Sequence, residues 1–113
     1  MTPVDTTRKT ASRNRLPAEY ARLVRKALGR HVMDIILFGS HARGDAGEGA
    51  DYDCVVIVDH KTPDVREVVL DADVAMLDRH GSLFAALLYD ESQWQRVQQS
   101  PLGWNIRREG VRL

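Results

Sequence analysis

The stretch Ile35-Ile36-Leu37-Phe38-Gly39-Ser40-His41-Ala42-Arg43-Gly44, closely followed by Asp51-Tyr52-Asp53-Cys54-Val55-Val56-Ile57-Val58, limits this chain more than any other feature. An apolar strand ends in a Gly-Ser turn, and after a small, polar, glycine-rich loop a second apolar strand opens on two carboxylates. Alternate residues of a strand point to one face, so Asp51 and Asp53 share a face with backbone positions roughly 6–7 Å apart. Two hard oxygen donors at that spacing suit Mg²⁺ and the phosphates that bridge to it. The turn supplies the other half of such chemistry. Gly39 lets backbone approach a phosphate closely, Ser40 adds a hydroxyl, and Arg43 can fork onto a phosphate or a carboxylate.

Composition sets the frame for that motif. At 113 residues, with 43% apolar and 28% charged residues, the chain suits one domain with one core. No apolar run approaches the ~20 residues of a membrane span, and the first residues carry no signal-peptide pattern, so no membrane partner is expected. Cys54 is the sole cysteine. It excludes an intramolecular disulfide and suits a cytoplasmic protein. Net charge is zero but uneven: residues 1–31 carry eight Lys/Arg against Asp5 and Glu19, and residues 45–91 carry twelve Asp/Glu against three basic residues. The basic arm reads as a solvated tail and helix face rather than a nucleic-acid surface, and direct nucleic-acid binding is not expected.

Along the chain, residues 1–15 are polar and basic and predict a flexible tail, with a single domain over 16–113. Leu16, Tyr20, Leu23, Val24, Ala27 and Leu28 keep helical spacing, with Pro17 suited to a first turn and Gly29 to the stop. Val32–Phe38 and Tyr52–Val58 predict strands, the second central because it is apolar on both faces. Thr62-Pro63 predicts a helix start, Val65, Val68, Val69, Ala72 and Met76 its buried stripe, and Gly81 its end. Ser82–Tyr89 predicts a third strand. Asp90 with Gln93 predicts a capping box for a helix bearing Trp94, and Ser100-Pro101 a break before a last helix that stops at Gly110. Val111–Leu113 is left as a tail. The order α-β-β-α-β-α-α gives an α/β (α+β) fold, a small mixed sheet flanked by helices.

Gly39-Ser40 with Asp51-x-Asp53, set within Phe-Gly-Ser-x-Ala-Arg-Gly, resembles the signature of the DNA polymerase β-like nucleotidyltransferase superfamily, in particular its minimal nucleotidyltransferase branch. The closing Asn105-Ile106-Arg107-Arg108-Glu109-Gly110-Val111 is similar to the end of that branch. The resemblance implies a nucleotidyltransferase-like fold, with Gly39, Ser40 and Arg43 binding ATP and Asp51 and Asp53 binding Mg²⁺ as catalytic residues. It also implies an antitoxin that forms a hetero-oligomer with a HEPN-type ribonuclease toxin and transfers AMP to a toxin tyrosine. The alternative is a catalytically weak or inactive antitoxin that acts by binding.

Catalytic members of the superfamily place a further carboxylate on the strand after the intervening helix. Leu83–Leu88 has none, and Asp73 is a candidate only if its segment is extended, whereas the apolar stripe there predicts helix. His41 stands exposed beside the turn. Cys54 falls on the face away from the carboxylates, as a core thiol. His31, His60 and His80 sit at element ends as structural residues, and Trp94 and Trp104 as core or interface anchors.

Overall fold

In the computed structural model the backbone is described over residues 3–113 and side chains from Arg15 onward. The elements run α1 (Pro3–Leu28), a 3₁₀ turn (Gly29–His31), β1 (Val32–Phe38), α2 (Ser40–Arg43), β2 (Tyr52–Val58), α3 (Pro63–His80), β3 (Phe84–Asp90), α4 (Glu91–Val97), α5 (Pro101–Glu109) and β4 (Val111–Arg112). One sheet has the order β3-β2-β1-β4. β1 runs antiparallel to β2 and to β4, and β2 runs parallel to β3. The sheet is mixed, and β2 is interior, as its apolar run Cys54–Val58 predicts.

Because side chains alternate on a strand, β2 feeds two cores. Cys54, Val56 and Val58 join Tyr20, Val24, Ile35, Leu37, Val69, Met76 and Phe84 beneath α1 and α3. Val55 and Ile57 join Trp94 and Ile106 beneath α4 and α5. Asp51 and Asp53 have the parity of Val55, so they lie on the α4/α5 side, beyond the end of that second core. Cys54 is fully buried on the other side, and desolvation pushes its thiol well above the usual range. It is a core thiol.

The local signals hold where they are chemical. Thr62 Oγ1 accepts from Val65 N at 3.2 Å, and Gly81 closes α3 in the left-handed conformation. Asp90 accepts from Gln93 N at 2.7 Å while Gln93 Oε1 accepts from Asp90 N at 3.1 Å, the reciprocal capping box. Ser100 Oγ accepts from Gly103 N at 3.2 Å.

Three expectations are corrected. α1 is helical from Pro3, so Pro17 lies inside it rather than in its first turn. A polar segment shows no apolar period in sequence, yet each residue added to an existing helix gains a hydrogen bond. The flexible tail expected over residues 1–15 falls mostly on side chains outside those described. β3 spans Phe84–Asp90 rather than Ser82–Tyr89. Val111–Arg112 is a strand, paired with Ile36 and Leu37, rather than a tail. The last segment is further held by Leu113 N donating to Ile35 O at 2.9 Å and by Arg112 against Asp34 at 3.0 Å. Of the two tryptophans expected as core or interface anchors, Trp94 is buried in the core and Trp104 is 65% exposed.

Asp73 sits on α3, and Tyr20 Oη donates to its Oδ1 at 2.7 Å. The carboxyl is half-buried, and desolvation pushes its pKa up to about 6 against the lowering effect of that bond. A raised acid favours its protonated form when folded, so its stability contribution is complete below about pH 4 and lost as pH rises through about 6. Two units correspond to nearly 3 kcal/mol, and half exposure cuts this to about 1 kcal/mol. Asp73→Asn keeps the acceptor for Tyr20 and removes the charge. It is expected to match wild type at pH 4 and exceed it by about 1 kcal/mol at pH 7.5 in urea denaturation. Equal stability of the two proteins at both pH values would refute this assignment.

Candidate active site

The site begins at the C-terminal end of β1, where the chain must leave the sheet and turn at once into α2. Gly39 makes the turn at φ 77°, ψ −158°, a region open essentially to glycine alone. The Gly39 carbonyl accepts from Ala42 N at 3.1 Å and Arg43 N at 3.0 Å, which winds Ser40–Arg43 into one helical turn. A Cβ at position 39 would stand 2.5 Å from Asp53 Oδ2. The glycine of the first motif therefore leaves the space that the second carboxylate occupies, and this brings the two sequence blocks together in one place. Phe38 pairs with Asp53 across β1 and β2.

Asp51 is exposed just before β2, and Asp53 is half-buried within it. Desolvation, then the charge of Asp51, raises the Asp53 pKa, while His41 and Arg43 pull it down and Glu109 adds to the rise. A divalent cation would relieve that stress. The donor set is two carboxylates on one face, and it fits Mg²⁺, whose remaining positions are commonly water and nucleotide phosphate. Among the described residues no group of three His, Cys, Asp or Glu side chains could hold a metal ion.

The position a third carboxylate would take is now identifiable. In the parallel pairing of β2 with β3, Asp53 stands opposite Ala85, which is exposed. Neither acid near in sequence substitutes for it. Asp73 is on a helix and bonded to Tyr20. Asp90 is opposite Val58, five residues along the strand or roughly 17 Å away, and caps α4.

Two site residues already have carboxylate partners, and a third, His41, departs from expectation. Arg43 is ion-paired twice, through Nε to Asp45 Oδ2 at 3.1 Å and through Nη1 to both oxygens of Glu109 at 3.2 Å. Gly39 N donates to Glu109 Oε1 at 3.0 Å. His41 is half-buried rather than exposed. Its Nε2–H donates to Ala50 O at 2.9 Å, and its ring stacks on Tyr52 at 3.6 Å. Tyr52 stacks on Phe84 at 4.5 Å and Phe84 on Tyr20 at 4.6 Å, a column of rings from the loop into the α1/α3 core. This column fixes the loop that carries Asp51. Of the other histidines, His31 pairs with Asp59 and His80 with Glu19, each at 2.9 Å, and His60 is exposed.

Glu109 is a site residue to which the sequence assigned no role, although it lies within the closing Asn105–Val111 segment. A signal was present: a carboxylate on the last residue of a helix opposes the helix dipole, so it suggests a partner elsewhere. A groove of about 460 Å³ between α3 and β3, lined by Lys61, Arg66, Asp73 and Leu88 among others, carries none of the site residues.

The family model for the nucleotidyltransferase domain matches residues 19–99, which include the turn, both carboxylates and β3. The chain belongs to the nucleotidyltransferase domain family. A search of curated proteins gave no match. Among solved structures, a toxin–antitoxin with AMP-PNP is similar with a TM-score of 0.56 at 14% identity, covering 83% of this chain and 69% of that one. A putative nucleotidyltransferase from Sulfolobus solfataricus is similar with a TM-score of 0.50 at 20% identity, covering 87% and 76%. The toxin–antitoxin MntA-HpeT, in a mutant form, gives a TM-score of 0.53 at 13% identity, covering 79% and 65%. At these identities the neighbours establish the nucleotidyltransferase fold. No helix among the described residues is long and apolar enough to cross a membrane.

Proposed function

We propose that this nucleotidyltransferase domain binds ATP and Mg²⁺ between the Gly39–Arg43 turn and the Asp51/Asp53 pair, and acts as the antitoxin of a HEPN-type ribonuclease toxin in a cytoplasmic hetero-oligomer. The reaction is transfer of AMP to a tyrosine hydroxyl of the toxin. The tyrosine oxygen attacks the α-phosphorus, the bond from that phosphorus to the bridging oxygen breaks, pyrophosphate leaves, and the hydroxyl proton passes to solvent. The observation that carries this reading is the joint packing of Gly39 against Asp53, which unites the two halves of the motif in a family member.

Within this reading, Asp51 and Asp53 hold Mg²⁺, which when bound offsets phosphate charge and polarises the phosphorus. Ser40 and the turn orient the triphosphate through hydroxyl and backbone donors. Arg43 supplies a movable cation at the rim, being 45% exposed. Likeness to a toxin–antitoxin solved with AMP-PNP supports the choice of nucleotide and of partner class.

The second reading is an antitoxin that binds its toxin with little or no transfer, and Ala85 opposite Asp53 is what favours it. One experiment separates the two. Labelled ATP, Mg²⁺ and a candidate HEPN-type toxin partner are incubated with wild type or with Asp51→Ala/Asp53→Ala. Transfer predicts a labelled toxin with wild type and a loss of at least about 100-fold in the double variant. An unlabelled toxin that is still neutralised by both proteins would favour the binding reading. Labelling unchanged in the double variant would reject the site.

A further inference from the structure

We infer that Glu109 is a built-in occupant of the phosphate seat, and that its carboxylate must release Gly39 and Arg43 for a nucleotide triphosphate to bind them. This rests on the reading that the Gly39–Arg43 turn receives the triphosphate. Two of the three groups assigned to that task are already engaged by one side chain. Glu109 Oε1 takes the Gly39 N–H at 3.0 Å, and its two oxygens take Arg43 Nη1 at 3.2 Å. Carboxylate and phosphate oxygens use backbone N–H groups and guanidinium in the same way. Gly39 has a single N–H, so the two anions cannot both hold it. Burial adds to the contest. The Glu109 side chain is only 16% exposed, whereas Arg43 is 45% exposed and Asp45 61%. Glu109 is thus the inner partner of Arg43, and Asp45 the outer one.

The hold is reversible by construction. The backbone around Glu109 is fixed: Gly110 N donates to Ile106 O at 2.8 Å, and a Cβ at Gly110 would stand 2.7 Å from Ile36 Cγ2. Beyond it β4 is paired to β1. Motion therefore falls to the glutamate side chain, whose rotors can swing the carboxylate to solvent without disturbing α5 or β4. A polyanion entering beside Asp51 and Asp53 also repels Glu109. At ~4 Å each pair of unit charges costs about 1 kcal/mol in water and more where water is partly excluded. Glu109 lowers the population of the open seat, and apparent affinity falls in proportion to that population.

The test compares wild type with Glu109→Gln, a side chain of equal shape and no charge, by calorimetric titration of ATP with Mg²⁺. Because the carboxylate competes for the seat, Glu109→Gln is expected to bind ATP about 10-fold more tightly than wild type. A second readout uses the unaltered protein: the Glu109 side-chain carboxyl resonance, followed by carbon NMR, is expected to shift as ATP saturates the site. If Glu109→Gln binds ATP as weakly as wild type or more weakly, and the resonance stays fixed, Glu109 is a permanent brace and the inference is overturned while the ATP site stands. If neither protein binds ATP, both this inference and the nucleotide reading fail.

Discussion

Replacing Gly39 with alanine is expected to lower folding stability by about 3 kcal/mol and to abolish ATP binding. Two independent costs produce this. The backbone at φ 77°, ψ −158° lies in a region that side chains avoid, a strain of about 1–3 kcal/mol. The new methyl would also meet Asp53 Oδ2 at 2.5 Å. The carboxylate can rotate away, so the clash itself is cheap, but rotation removes Asp53 from the face it shares with Asp51. Stability alone would then understate the damage. Urea denaturation and ATP calorimetry on the same preparation separate the two effects. A variant within about 0.5 kcal/mol of wild type that still binds ATP would show that the turn does not need glycine.

The second large effect is a gain. Ala85→Asp places a carboxylate on the strand beside Asp53, at an inter-strand spacing of about 4.8 Å. Position 85 is exposed, so the new side chain meets no packing obstacle. Like charges opposite each other on neighbouring strands destabilise by about 0.2–1 kcal/mol. Mg²⁺ is expected to reverse that loss, so the melting temperature of Ala85→Asp rises with Mg²⁺ by more than that of wild type. A third carboxylate also offers the attacking hydroxyl a base, and general base catalysis is typically worth about 100-fold or more. Toxin labelling by Ala85→Asp is therefore expected to exceed wild type by about that factor. No gain in either Mg²⁺ response or labelling would mean that position 85 does not face the metal site.

The parts of this protein that sequence reveals are those written in local chemistry. The Gly-Ser turn, the i, i+2 carboxylates, the Thr62 cap, the Asp90–Gln93 capping box and the interior character of β2 depend on neighbours along the chain. What sequence conceals depends on residues far apart. Val111–Arg112 is too short to show a period of two, and its strand identity comes only from Ile36 and Leu37. Glu109 lies 70 residues from Gly39, and its placement follows from how α5 crosses the sheet. The absence of an acid from Leu83–Leu88 was legible, but its meaning needed the register: only the pairing of Ala85 with Asp53 shows where the missing group belongs. Arg43 shows the limit most clearly. Its residue type suits a phosphate, and in the folded chain the same fork is satisfied by Asp45 and Glu109.

The central claim is that Gly39, Asp51 and Asp53 together form a metal-dependent nucleotide site. Calorimetric titration of ATP into wild type and into Asp51→Ala/Asp53→Ala, each with and without Mg²⁺, tests it most directly. Binding to wild type is expected to depend on Mg²⁺ and to be lost in the double variant, with the variant as soluble and as cooperatively folded as its parent. Binding of equal strength in both proteins, or binding to wild type that ignores Mg²⁺, would contradict it.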